Sequence, residues 1–529
     1  MPMSLRGGMY HQVTCLKTNF SRLSQLSVIL LVLLCLWSST SSTALNPKTH
    51  LSDHNVLTID LDCTKTAGII RPFSDINSGP LPILTEPRGV DLTQQYQDIG
   101  ITFIRTHDFY GPTDISSIFP NETADPSLPS SYNFTASDPF ITGIINAGCH
   151  VFYRLGESAS GNESLRTPPA NHSTWAEICK HIVMHYNDGW NNGYYYNITY
   201  WEIWNEPDLP GFWKGTADEY YHLYQTTVET LKAYNPSLKV GGPCTSSITN
   251  TNFTSGFLNY IVDHNLPLDF YSWHRYADTP NNLFTDSLQI RNLLDSYGLN
   301  DCENINTEWN INILGPQRDK DNAKNAAFTT CALTSFQDAG IDYAFRYRGT
   351  GDSNWLSRLI GFDLSLFTYD GLYKTPALSY IAMQYMIRDS PLRLITPEMD
   401  AVTGITYLAG IANDGSNISI LISNFDAPDT DYALSVDHLP YDANYTVIDY
   451  CIDDDHHLQI TNTSSAKGST FTTIQRLESN SVHFLRLTTS TTIPPEGPVV
   501  AEIPLLLRLH CLDPFTQILG LLLILLIFS

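Results

Sequence analysis

The sequence predicts an α/β protein, a (β/α)8 TIM barrel with an accessory C-terminal antiparallel β-sandwich. Three observations predict it. Eight short runs rich in Ile, Val, Tyr, Phe and Trp, at 67–70, 101–105, 150–154, 199–204, 238–240, 268–273, 305–308 and 343–347, alternate with helix-like segments. From about residue 392 the texture changes to β-prone runs (403–409, 418–423, 446–450, 481–488) broken by turn clusters such as Asn413-Asp414-Gly415. Finally, two glutamates each close an apolar or aromatic run and lead into polar loop. They stand in Trp201-Glu202-Ile203-Trp204-Asn205-Glu206-Pro207 and in Asn306-Thr307-Glu308-Trp309-Asn310. That is how a strand delivers an acid to the carboxyl rim of a barrel.

Taken in chain order, residues 1–44 read as a signal peptide. Arg6, Lys17 and Arg22 precede an apolar run at 26–37, and a Ser/Thr-rich stretch ends near Ala44. The run is too short to span a bilayer comfortably, and an uncleaved anchor is the alternative. Within 45–66, the run 56–61 is expected to add an edge strand to the sandwich. The catalytic barrel is expected over 67–390, with helices at 175–186 and at 217–234, the second closed by Asn235-Pro236. Alternating strand and helix argues for a parallel barrel with buried strands. An open doubly wound sheet competes, but no Gly-x-Gly-x-x-Gly fingerprint follows the early strands. The sandwich is expected over 391–488. Residues 489–529 form a Thr/Pro linker and an apolar tail, whose last 13 residues cannot span alone. An apolar end after a polar stretch has the form of a lipid-anchor (GPI) signal, although Arg508, His510 and Asp513 interrupt it.

Composition narrows the function classes. With 54 acidic against 29 basic residues, the net charge of -25 argues against nucleic acid or an anionic membrane surface as partner. Aromatic residues make up 12%, which suits both sugar-stacking clefts and a large core. Asn121, Asn133, Asn162, Asn171, Asn197, Asn252, Asn417, Asn444 and Asn462 each head an Asn-x-Ser/Thr sequon. Together with the leader they predict a glycoprotein of the secretory pathway: extracellular, lysosomal or at the cell surface. Attachment through the C-terminal tail is the membrane variant of that expectation. Cys63, Cys149, Cys179, Cys244, Cys302, Cys331, Cys451 and Cys511 show no zinc spacing, and their pairing is open.

The chemistry gathers at the strand ends, in Arg105-Thr106-His107-Asp108, Asn205-Glu206, His274-Arg275-Tyr276, Glu308 and Arg346-Tyr347-Arg348. Two acids facing one pocket can cleave a glycosidic bond. Glu206 is expected as general acid/base, kept protonated by partial burial beside Trp204. Glu308 is expected as nucleophile, kept ionised by Arg105 and Tyr276. Asn205 is placed to bond a sugar hydroxyl, while His107 and His274 either bond hydroxyls or are structural. Tyr276, Arg105, Trp309 and Arg346 complete the expected substrate-binding set. Glu202 is read as inside the barrel or paired with a base, rather than taking part in the chemistry. Asp453-Asp454-Asp455-His456-His457 reads as a solvated loop, so no metal is expected.

These motifs resemble family 39 of the glycoside hydrolases, the β-xylosidase and α-L-iduronidase family. The resemblance is densest from Trp201 through Lys239-Val240-Gly241-Gly242-Pro243. It continues at Asp269-Phe270-Tyr271-Ser272-Trp273-His274-Arg275-Tyr276, at Thr307-Glu308-Trp309-Asn310 and at Gly371-Leu372-Tyr373-Lys374-Thr375-Pro376. It implies Glu206 as acid/base, Glu308 as nucleophile, retention of configuration and no cofactor. Thr-Glu-Trp-Asn resembles the xylosidase version rather than the iduronidase Asp-Glu-Ala-Asp. Phe345-Arg346-Tyr347-Arg348-Gly349 departs from the xylosidase Trp-x-Phe-Ser-Asp, and two arginines there suit a sugar carboxylate. The expected function is therefore a secreted or cell-surface retaining glycosidase of β-xylosidase type acting on a glycoside or oligosaccharide. The alternatives are an α-L-iduronidase-like uronide hydrolase and a non-catalytic glycan-binding barrel.

Overall fold

Strands and helices alternate because helical stripes and strand runs in this chain each have one partner layer to bury against. The computed structural model describes residues 56–81, 89–107, 111–158, 163–351, 362–396, 404–441, 443–490 and 493–501. The expected signal peptide, the tail beyond 501, Asp108, Asn162, Asp352 and Cys511 lie outside them. Two strands come first, β1 (Leu57–Asp62) and β2 (Thr66–Ile69). Eight parallel strands then close a barrel: β3 (Asp75–Asn77), β4 (Phe103–Arg105), β5 (His150–Leu155), β6 (Tyr200–Ile203), β7 (Lys239–Thr245), β8 (Phe270–Ala277), β9 (Glu303–Ile311) and β10 (Tyr343–Arg346). Pairing follows chain order, and β10 returns to β3.

Eight further strands follow: β11 (Leu392–Leu394), β12 (Ile405–Ile411), β13 (Asn417–Asn424), β14 (Thr430–Asp437), β15 (Asn444–Ile452), β16 (His457–Lys467), β17 (Thr470–Leu477) and β18 (Ser481–Thr488). With β1 and β2 they form a seven-stranded sheet, β16-β15-β18-β13-β12-β11-β2, facing a three-stranded sheet, β1-β14-β17. The barrel and sandwich predicted from the sequence are therefore present. β1 runs parallel to β14, whereas the seven-stranded sheet is antiparallel throughout.

Period-2 geometry explains how the sandwich is fixed to the barrel. Along β13, Ile418, Ile420 and Ile422 enter the core between the two sheets, while Leu421 joins the barrel core. On the barrel side Ser423 Oγ donates to Ala327 O at 3.1 Å, in the fully packed helix Ala323–Ser335. That helix is lined by Ala, Ser and Thr, which lets the sheet approach it closely. Both faces of the sheet are thus buried at its central strands β12 and β13.

The expected first barrel strand at 67–70 is a correction. Thr66–Ile69 is exposed at all four positions and edges the seven-stranded sheet beside β11. The barrel position belongs to Asp75–Asn77, two of whose three residues are polar, so hydropathy does not mark it. Those polar groups are buried but satisfied. Thr102 Oγ1 donates to Asp75 at 2.6 Å, and Asn77 Nδ2 donates to Thr307 O at 2.9 Å. The two expected helices are His172–Asp188 and Ala217–Tyr234. Asn171 caps the first through Thr174 N, and a Thr216/Glu219 capping box opens the second.

Candidate active site

The barrel interior is layered by strand parity. Phe103, Phe152, Tyr200, Phe270, Ile305, Tyr343 and Phe345 form an apolar floor. Two residues further along their strands the same face carries Arg105, Arg154, Glu202, Ser272 and Thr307, and beyond these come His107 and His274. A charged layer on an aromatic floor needs internal pairing, and Arg105 supplies it.

Arg105 is fully buried and spends all five N–H donors. Nε donates to Glu202 Oε2 (2.6 Å), Nη1 to Asn77 Oδ1 (3.0 Å) and Glu308 Oε1 (2.9 Å), and Nη2 to Asn205 Oδ1 (2.8 Å) and Cys244 Sγ (3.0 Å). This corrects its expected role as a substrate ligand. No donor is left for a sugar, so Arg105 orients the carboxylate and the amide instead. Glu202 is its interior counter-charge.

Glu308 reaches the cleft through a bulge in β9. Trp273 pairs with Asn306 and His274 with Glu308, which leaves Thr307 as the extra residue. Its Oε1 takes Arg105 Nη1 and lies 3.4 Å from His107 Nε2. Its Oε2 accepts from Tyr276 OH at 2.7 Å, with His274 Nδ1 at 3.6 Å. Burial raises its pKa, and Arg105 and Tyr276, with His274 in its protonated form, pull it back.

Glu206 sits at the end of β6, in left-handed backbone (φ 46°) like Trp204 (φ 73°) and like Cys244 (φ 58°) across the site. Such conformations cost non-glycine residues about 1–3 kcal/mol each and cluster where geometry is imposed from outside. Glu206 N donates to Cys244 O at 3.0 Å, and Oε1 lies 2.8 Å from His274 Nδ1. Burial, with Asp208 adding to it, pushes the Glu206 pKa up to about 8. Trp204 packs edge-on to Trp213 at 5.0 Å, and its Nε1 donates to Phe212 O at 3.1 Å.

One ligand-capable atom each of Glu206, His274 and Glu308 lies within 4.8 Å of the others. A metal trio would show similar spacing, but a guanidinium and a phenol already occupy Glu308. Cys451, Asp453 and His456 gather equally closely at the β15–β16 turn, where they bond to one another.

The remaining predicted site residues divide. Asn205 is buried in the site, and among the described residues its Nδ2 has no partner; the same is true of His107 Nδ1. Trp309 and Arg346 are corrections, because both are fully buried and turned outward. Trp309 follows the inward Glu308 and packs on Phe336 at 5.3 Å. Arg346 follows the inward Phe345 and donates to Thr329 Oγ1 (2.6 Å), Asn310 Oδ1 and Asn325 Oδ1 (3.2 Å each). Sequence reasoning missed Asn77 and Cys244. The first lies on the unmarked polar strand. The second ends a strand that passes through Gly241-Gly242-Pro243, residues that argue against strand.

Of the sequon asparagines, Asn121, Asn133, Asn171, Asn197, Asn252, Asn444 and Asn462 are exposed. Asn417 is partly buried, bonded to Ser416, Arg486 and Thr488. The seven described cysteines are all buried free thiols.

Residues 58–344 match the model of Glycosyl hydrolases family 39. A β-xylosidase of Geobacillus stearothermophilus is 27% identical over 216 residues, 38% of this chain and 42% of that protein. A β-xylosidase of Caldicellulosiruptor saccharolyticus is 28% identical over 194 residues, 34% of this chain and 37% of that protein. The chain thus spans about two-fifths of the curated relatives it matches. Among solved structures, a glucosidase from Croceicoccus marinus superposes with a TM-score of 0.71 at 25% identity, covering 82% of this chain and 100% of that one. A monomeric β-xylosidase from Caulobacter crescentus CB15 gives 0.64 at 17% identity, covering 82% and 99%, a likeness of fold.

Proposed function

We propose that this chain, which belongs to glycosyl hydrolases family 39, hydrolyses a terminal glycosidic bond with retention, through Glu206 as acid/base and Glu308 as nucleophile. One observation carries the reading: oxygens of the two carboxyls approach within 4.8 Å in opposite surroundings. Retention calls for carboxyls about 5–5.5 Å apart, and inversion needs about 6.5–9.5 Å to admit water. Burial favours the protonated form of both acids, but only Glu308 is bonded to a guanidinium and a phenol. Their affinities for protons are thereby pushed apart, which divides the roles.

In the first step Glu308 attacks the anomeric carbon while Glu206 gives its proton to the leaving oxygen, and the glycosidic C–O bond breaks. In the second, Glu206 takes a proton from water, whose oxygen bonds the anomeric carbon and displaces Glu308. The unpartnered amide of Asn205 and ring nitrogen of His107 are suited to hold sugar hydroxyls. A β-xyloside is the favoured substrate: of the two arginines expected to suit a sugar carboxylate, Arg346 turns its guanidinium to the helices instead. The similarity to two β-xylosidases supports the same choice. Seven exposed sequon asparagines support an exported glycoprotein.

A panel of nitrophenyl glycosides, with xyloside and iduronide side by side, tests the reading. Wild type should release nitrophenol from the β-xyloside, and Glu206→Gln and Glu308→Gln should each lose at least about a hundredfold. Proton NMR of the first-formed sugar should show retained configuration. Inverted product, or no turnover of any glycoside, would defeat the proposal.

A further inference from the structure

The imidazole of His274 stands between an acid and a thiol. Nδ1 lies 2.8 Å from Glu206 Oε1, and Nε2 lies 2.9 Å from Cys244 Sγ. Cys244 is fully buried. Its sulfur also receives Arg105 Nη2 at 3.0 Å and faces Asn205 Oδ1 at 3.5 Å and Thr307 Oγ1 at 3.6 Å. Neither step of the proposed reaction uses this thiol.

We propose that Cys244 is a positioning residue, whose sulfur accepts the Nε2–H of His274 and so turns the Nδ1 lone pair toward Glu206, holding that carboxyl protonated. The inference rests on the reading of Glu206 as the acid. It follows from accounting for donors. Arg105 can only donate, and does so to both the sulfur and Asn205 Oδ1. Burial keeps the thiol protonated, and Asn205 Oδ1 is an acceptor for its single S–H. With the S–H directed to Asn205 Oδ1, a sulfur lone pair faces His274 Nε2, which then brings the hydrogen. Burial and Arg105 favour neutral imidazole, against the pull of Glu308, Glu202 and Asp208. A neutral ring with its proton on Nε2 has a lone pair on Nδ1, and the atom opposite is Glu206 Oε1. A carboxyl satisfies that lone pair, whereas a carboxylate would meet it lone pair to lone pair. The reverse tautomer would place Nδ1–H on Glu206 and stabilise the ionised form.

The consequence spans both chemical steps. Before the leaving oxygen takes the proton, the arrangement keeps Glu206 an acid. Afterwards the carboxylate faces a lone pair, which favours its taking a proton from the incoming water. The charged and titratable groups around Glu206 are Asp208 on its own loop, Arg105 on β4, His274 and Tyr276 on β8, and Glu308 on β9. Replacing Cys244 alters the charge of none of them, so a moved titration reports the tautomer.

Two measurements test this. In long-range proton–nitrogen spectra of [15N]histidine-labelled wild-type protein, His274 (assigned by the signals lost in His274→Asn) should carry its proton on Nε2. A proton on Nδ1 overturns the proposal, whether or not the protein hydrolyses any glycoside. In the pH profile of kcat/KM, Cys244→Ala should move the alkaline limb down by about one pH unit, because the ring is then free to donate from Nδ1. Cys244→Ser, which restores an acceptor, should return the limb toward wild type. A Cys244→Ala profile superimposable on wild type overturns the proposal, whatever happens to rate or Tm. Should that variant fail to fold, the wild-type spectrum still decides.

Discussion

Removing one hydroxyl, in Tyr276→Phe, probes how Glu308 stays ionised. Tyr276 OH donates to Glu308 Oε2 at 2.7 Å, while the other oxygen keeps Arg105 Nη1 at 2.9 Å. Without the hydroxyl, Oε2 is left with His274 Nδ1 at 3.6 Å, beyond hydrogen-bond distance. A bond to a charged group contributes about 1.5–3 kcal/mol, and here it is lost only by the ionised form. At about 1.4 kcal/mol per pKa unit, the Glu308 pKa should rise by about 1–2 units. The acidic limb of kcat/KM, which reports the ionisation of the free enzyme's nucleophile, should move up by that amount. The alkaline limb, assigned to Glu206, should stay. Phe keeps the ring against Tyr347, at 6.2 Å between centroids, so the fold is not at stake. Initial rates of nitrophenol release across pH measure both limbs. An unmoved acidic limb, or movement of the alkaline limb alone, would refute this account of Glu308.

Stability should also register the buried acid. Glu206 is raised from 4.5 to about 8 in the folded state, so the native protein binds the extra proton between those values. Its contribution is full below the unfolded pKa and is lost as pH rises through the folded one, up to about 5 kcal/mol in all. Glu206→Gln should therefore flatten the fall of Tm between those pH values, and an unchanged slope in the variant would contradict the assignment. Arg346→Met should cost about 2–4 kcal/mol in denaturant unfolding, by removing the buried hydrogen bonds to Thr329, Asn310 and Asn325, and leave KM for a neutral glycoside unchanged. A raised KM with unaltered stability would mean the guanidinium does reach substrate. Gly241→Ala should yield no cooperatively folded protein, because a Cβ there would lie 2.2 Å from Phe270 O on the neighbouring strand. A variant with wild-type melting would contradict the close strand approach.

Local pattern marked most of the architecture. The aromatic strand runs and the two capped helices were legible because their periodicity reports which face is buried. The rule that barrel acids stand at carboxyl strand ends was enough to select Glu206 and Glu308. Strand β3 was not legible, since two of its three residues are polar and buried through partners distant in sequence. Nor were β16 and β17, whose mostly exposed positions present no apolar alternation.

By itself, then, the sequence determined the barrel, the sandwich, the family resemblance and the choice of Glu206 and Glu308 as the candidate pair, all of which depend on order along the chain. Tertiary structure decided which neighbours serve that pair. Strand parity turned Trp309 and Arg346 outward, and the β9 bulge brought Glu308 inward. Closure of the barrel carried Asn77, Cys244 and Glu202 onto a single guanidinium. Pairing of buried charge depends on distances across the barrel, and a one-dimensional pattern does not contain them.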